Sequence, residues 1–192
     1  VSFYQFYIHQ LLNFQGIRLI LIKLLSFLIL YIAIQVFLEE AIDLRYLTLG
    51  VLLSATANSF FSLDYVQFER SQLQLFRNLA IGFLKKMTSF WFTFLMLSIP
   101  EFLMLIGQLN FLVNWLDLLS LMLLIPSLLM LFMALAYQPS FSHEGFTKQV
   151  FFISATLFFV ILGHIGALIL AILALTVSAL LLRVWMKKSE IL

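Results

Sequence analysis

The side chains able to do chemistry in this chain are few and scattered. Three histidines, His9, His143 and His164, lie in an N-terminal polar stretch, a polar loop and a Gly-His-Ile-Gly cluster. That separation gives no reason to expect a shared metal or haem site, and His164 reads as a residue that hydrogen-bonds a turn. There is no cysteine, hence no disulfide and no thiolate ligand set, and the redox compartment stays open. The phosphate-binding pattern GxxxxGK[ST], the zinc pattern HExxH and the nucleophile pattern GxSxG are all missing. Carboxylates are scarce inside the long apolar runs. Ion-coupled carriers usually place carboxylates near the middle of the bilayer, so this scarcity argues against a proton- or sodium-coupled carrier and against a hydrolytic carboxylate pair. No catalytic, cofactor or metal residue is expected, and the chain does not read as an enzyme.

One long polar interruption stands out, Leu63 to Met87, with Asp64, Glu69, Arg70, Arg77, Lys85 and Lys86. In a helix Gln67, Arg70, Gln74 and Arg77 share one face at intervals of 3, 4 and 3, opposite Tyr65, Phe68, Leu75, Phe76 and Leu79. The spacing predicts an amphipathic helix over 64–80 at a membrane surface. Its polar residues, Glu69 included, either contact a partner or are simply solvated, with Arg77, Lys85 and Lys86 holding lipid phosphates.

Elements that position such a helix follow from composition. The chain is 64% hydrophobic and 10% charged, with 22 Phe in 192 residues, a formal charge of +2 and a mean hydropathy of +1.10. Soluble domains carry roughly 25% charged residues. Several runs reach the ~20 residues of a membrane helix, and the alternation of a membrane barrel is nowhere sustained. The expected fold is all-α: a single polytopic domain over 1–192 with six transmembrane helices. No cleavable signal peptide is visible, and Val1 suggests either a start inside a longer chain or an alternative start codon.

In chain order, residues 1–15 alternate Ser2, Gln5, His9 and Asn13 with aromatic and aliphatic residues, as an interfacial helix or a frayed extension of the first span would. Spans are expected at about 17–37, 46–63, 87–107, 118–137, 149–163 and 166–185. Arg18 and Lys23 fall near the start of the first, where long basic side chains snorkel to the headgroups. Gly50, Ser54 and Asn58 form a small-residue stripe on the second, read as helix packing in preference to substrate contact. Pro100 kinks or ends the third, which puts Glu101 at the far interface or an entrance to it. The stretch from Gln149 to Met186 is long for one span and short for two. Charge placement decides for a hairpin at Gly163–Gly166: both termini and residues 64–86 and 138–148 then share the basic side, and Arg45 alone of the Lys and Arg residues lies opposite. Ala167, Ala171, Ala174 and Ser178 give the last span a second packing stripe.

The segment after the second span resembles the coupling helix of the transmembrane subunit of ABC-2-type transporters, a family with six spans per subunit. The family pattern reads approximately E-x-G-T-L-E-x-L-x-x-x-P-I followed by a lysine. Here Phe68-Glu69-Arg70 matches its acidic start, Leu73, Leu75 and Phe76 its apolar positions, and Leu79-Ala80-Ile81 the place of the Pro-Ile pair. Lys85 or Lys86 stands for the trailing base. The Gly-Thr pair is absent, Ala80 stands where proline is usual, and the last helix pair is tight. The resemblance implies a bacterial inner-membrane permease subunit that couples a separate ATPase subunit, which would carry ATP and Mg, to movement of an amphiphilic substrate. It also implies ATPase contact through Gln67, Glu69, Arg70, Gln74 and Arg77, a second permease subunit, and membrane lipid as surroundings. Nucleic acid is not expected as a partner. The competing expectation is a non-catalytic structural or assembly subunit of a larger membrane complex.

Overall fold

The structure, a computed structural model, describes residues 3–39, 43–72, 83–109, 112–138 and 142–189. Among them are nine α-helices and no strand: α1 (Phe3–Phe14), α2 (Gly16–Glu39), α3 (Leu44–Ala57), α4 (Ser59–Gln72), α5 (Phe83–Leu97), α6 (Ile99–Leu109), α7 (Trp115–Ala136), α8 (His143–Leu162) and α9 (Ala167–Ser189).

Local signals set several of the boundaries. Asp43 caps α3, its carboxylate accepting from the Arg45 amide at 2.9 Å, and Ser142 caps α8 by accepting from the Gly145 amide at 3.0 Å. Both are the short polar side chains that satisfy free N–H groups of a first turn. Pro100 falls in the first turn of α6, where a missing N–H is tolerated. It cannot continue α5 in register, and α5 and α6 meet at a 53° bend.

Five helices are long and apolar enough to cross a membrane: α2, the run Leu44–Ser71 formed by α3 and α4, α7, α8 and α9, the last over Ala167–Trp185. The bent pair α5/α6 makes a sixth if it is one broken span. The core is built around α7, whose buried residues run almost without interruption from Leu124 to Ala134. It packs most extensively on α9 and also touches α3, α4, α5, α6 and α8. Outward faces are apolar instead of charged: Leu21, Leu24 and Leu28 on α2, Phe151 and Phe159 on α8, and Ile169 and Leu173 on α9 are all exposed. In water such a surface would be an aggregation site, whereas lipid tails solvate it.

Contacts fix the helix directions. Arg18 meets Asp64 and Ser26 meets Ser54 and Asn58, while Gly50 lies on Ala33, so α2 runs antiparallel to α3/α4. The starts of α3, α7 and α9 and the end of α8 surround one cavity at one end of the bundle. At the other end Gln67 of α4 reaches His143 of α8, and Arg70 reaches the carbonyl of Ala136 on α7. The chain therefore breaks at 163–166, and α8 and α9 run in opposite directions.

Two expectations change. A separate surface helix beginning at Asp64 is not what the chain forms: α4 continues the axis of α3 through Asn58, and Asp64, Tyr65 and Val66 are buried. Ser62 explains part of this, donating to the Leu129 carbonyl at 2.9 Å and pinning α4 along α7. The helical run long and apolar enough to cross a membrane thus extends from Leu44 to Ser71, beyond Leu63. Residues 73–82, with Gln74 and Arg77, lie outside the described residues. The second change concerns Lys23 and Glu101.

Candidate functional site

Where α2, α3/α4 and the α5/α6 bend meet, five polar side chains converge in an otherwise apolar interior. Lys23 Nζ donates to Glu101 Oε1 at 2.7 Å, to Oε2 at 2.9 Å and to the Leu97 carbonyl at 2.6 Å. Glu101 Oε1 also accepts from Ser26 Oγ at 2.8 Å and Asn58 Nδ2 at 3.0 Å. Ser26 in turn accepts from Asn58 Nδ2 at 2.9 Å and lies 2.6 Å from Ser54 Oγ. Ser26 has one hydroxyl proton, committed to the carboxylate, so Ser54 is the donor in that last pair. Glu101 is 0% exposed and Lys23 is buried, with its ammonium 5.5 Å from the centre of the Phe61 ring.

The sequence places these groups together by two simple repeats. Lys23 and Ser26 share a face of α2 at i, i+3, and Ser54 and Asn58 share a face of α3 at i, i+4. Glu101 is delivered by the bend before Pro100. A straight continuation of α5 would carry the carboxylate to a different azimuth. Asn58 stands at the middle of Leu44–Ser71, and Ser26 is ten residues into α2, about 15 Å along it. If these helices span a ~30 Å hydrocarbon layer, the centre lies near its midplane.

Lys23 therefore does not snorkel, and Glu101 does not reach an interface. Each charge is kept inside by the other, because an isolated buried charge is far costlier than a paired and hydrogen-bonded one. The premise that the spans lack a deep carboxylate falls with this. One atom is left over: Asn58 Oδ1 is buried without a hydrogen-bond partner. A second ion pair, Arg18 with Asp64 at 3.0 Å, lies nearer the end of the bundle, the guanidinium also 5.6 Å from the Phe60 ring centre.

The remaining predicted site residues are dispersed. Gln67, Glu69 and Arg70 are half-buried at the end of α4. Gln67 Nε2 lies 3.1 Å from His143 Nε2, and Arg70 donates to the Ala136 carbonyl at 3.2 Å. Gly50 faces Ala33 so closely that a Cβ there would overlap the Ala33 methyl. Ser54 and Asn58 belong to the polar centre as well as to the α2–α3 contact. Ala167, Ala171, Ala174 and Ser178 are buried, on the helix that packs most on α7. His9 pairs with Asn13 at 2.9 Å, and His164 with Arg45 at 3.1 Å. No group of three or more His, Asp or Glu placed to hold a metal occurs among the described residues.

Around His164, at the other end of the bundle, a cavity of about 230 Å³ is lined by Asp43, Arg45, Asp117 and Ser120 among others. His164 has a φ of 65°, a left-handed conformation uncommon for a non-glycine residue. The Arg45 guanidinium can only donate, so His164 Nε2 accepts. Hydrogen bonds from the Arg45 side chain and amide hold the Asp43 carboxyl below the usual carboxylate range.

Among known proteins, no family model, no curated protein and no solved structure matches this chain.

Proposed function

We propose that the protein is a membrane-spanning transport subunit of six spans, with α5/α6 as one broken span and with the Arg18, Arg70, Lys148 and Arg183 end, which holds both termini, facing the cytoplasm. The charge distribution supports this orientation: the opposite end carries Glu39, Asp43, Asp117 and the single base Arg45. We read it as an ATP-driven permease subunit of the ABC-2 type, worked by a separate ATPase that docks where α4 ends.

The observation that carries the reading is the line from that docking end to the polar centre. Arg70 and Gln67 tie the end of α4 to α7 and α8, α4 is continuous with α3 through Asn58, and Asn58 touches Glu101 at the α5/α6 bend. A displacement applied at Gln67–Arg70 by an ATPase is delivered along the coaxial α3/α4 run to the place where three elements are joined by hydrogen bonds. Helices that are broken at buried polar groups are the usual moving parts of transport proteins. The apolar walls of the bundle suit an amphiphilic cargo better than a small ion.

The test is isolation from native membranes in mild detergent. An ATPase with a phosphate loop should co-purify with the native chain and be lost from Arg70→Glu/Arg77→Glu that still elutes as a folded species. A second reading is favoured by one observation, the buried Glu101 carboxylate: an ion-coupled carrier in which Glu101 exchanges a proton. It predicts no ATPase partner and uptake into vesicles driven by an imposed pH gradient. A structural subunit predicts neither.

A further inference from the structure

Between α1 and α4, at the basic end, lies a cavity of about 150 Å³ lined by Tyr7, Gln10, Gln15, Asp64, Gln67 and Ser71 among others. That is some ten times the 10–15 Å³ one water needs, enough for a small polar head of several atoms. The surrounding polar groups are unevenly satisfied. Tyr7 donates its hydroxyl to the Phe61 carbonyl at 2.9 Å, but three acceptor oxygens on lining residues, Gln10 Oε1, Gln15 Oε1 and Asp64 Oδ2, are buried with no hydrogen-bond partner. Asp64 is only 7% exposed. Arg18 Nη1 hydrogen-bonds its other oxygen, Oδ1, at 3.0 Å, and lies equally close to Oδ2 without the geometry of a hydrogen bond. Two of these acceptors have no donor at all and the third has only the Arg18 ion pair without a hydrogen bond, a costly arrangement around one cavity unless something supplies N–H groups.

We propose that the cavity holds the primary ammonium of an aminophospholipid headgroup, such as that of phosphatidylethanolamine. A primary ammonium has three N–H donors and a positive charge, which match the two unpartnered amide oxygens and the carboxylate oxygen that Arg18 ion-pairs without hydrogen-bonding. The phosphate that accompanies it in the lipid meets Arg18, whose side chain is 45% exposed beside Asp64, so the two charges of the head face the two charges of the ion pair. Position agrees. Phe14 and Ile17, 83% and 80% exposed at the α1–α2 junction, present apolar surface where acyl chains would run. A choline head has no N–H donor and leaves all three oxygens unsatisfied. This inference stands independently of the transport reading, since it needs only that the basic end meets a lipid leaflet.

The test uses the full chain in nanodiscs of phosphatidylcholine, with phosphatidylethanolamine or its mono- and di-N-methyl derivatives added, and reads bound lipid by native mass spectrometry. Charge-assisted hydrogen bonds are the strong ones, so the unmethylated head should be preferred over choline by at least about tenfold, falling with each methyl. Gln10→Met/Gln15→Met should lose most of that preference while its unfolding midpoint in pure phosphatidylcholine does not fall, since two unsatisfied oxygens have been removed. Equal binding of the two lipids, or a preference that survives in the double variant, overturns the proposal. Free ethanolamine is the remaining arm: if it protects the chain as well as the lipid does, the ammonium assignment stands and the lipid source is wrong.

Discussion

Lys23 and Glu101 show what a buried pair demands of single residues. Removing either partner strands the other charge in an apolar interior, a loss of about 3–5 kcal/mol, whereas replacing both by apolar residues of similar volume is far milder. Lys23→Met and Glu101→Leu should therefore each unfold well below the native protein in a detergent melt, and the double variant should recover much of the loss. Equal additive losses would mean that the two side chains do not depend on each other. The solvent-facing pair at the start of α3 behaves differently. Asp43 titrates lower in the folded chain than the ~3.9 of an unfolded aspartate. Its stabilising contribution is therefore full at neutral pH and is lost as pH falls from about 4 through the lower folded value. The melting difference between the native chain and Asp43→Asn should be positive at pH 7 and shrink toward zero in acid. Neither partnership of the buried pair is visible locally in the sequence: a lysine early in an apolar run has the signature of snorkelling, and a glutamate after a proline that of a helix end. Ser26, one turn beyond Lys23, and the Ser54/Asn58 repeat were the available hints of a polar stripe on each helix.

At the level of elements, helix periodicity and proline placement carry most of the information. The apolar runs mark α2, α7, α8 and α9, and the Gly163–Gly166 cluster marks the break between the last two. Pro100 marks the α5/α6 bend, though not the direction in which it turns Glu101. The α4 segment departs from a surface helix for a physical reason. Its charged residues imply a surface position, but Ser62, Tyr65 and Phe68 give it a face that packs on α7 and α1, and Asp64 is accommodated by Arg18. The α2–α3 contact depends on Gly50, where a methyl group would overlap Ala33. Gly50→Ala should cost about 1–3 kcal/mol by forcing two helices apart, and Ala33→Gly in the same chain should restore part of it. A thermal melt of the three variants checks this, and an unchanged Gly50→Ala midpoint would contradict the close approach.

For the whole molecule, the described helices bring Arg18, Arg70, Lys148 and Arg183 to one end and Asp43, Arg45 and Asp117 to the other, the same division by charge that implies a hairpin at the end of the chain. Orientation can be read directly, because the chain has no cysteine. Single cysteines at Lys85 and Thr147 should be shielded from an impermeant maleimide in right-side-out vesicles, and one at Asn114 should react. The reverse pattern would invert the assignment. The central claim is that work done at the end of α4 opens the contact between α2 and α6 at the polar centre. Spin labels on cysteines at Leu24 and Leu103, both exposed, report that contact by pulsed electron resonance in a complex isolated with the proposed ATPase partner. The account predicts a distance that changes by several ångströms when ATP and vanadate are added, and that no longer responds in Arg70→Glu/Arg77→Glu. A single distance distribution, the same with and without nucleotide, would contradict it.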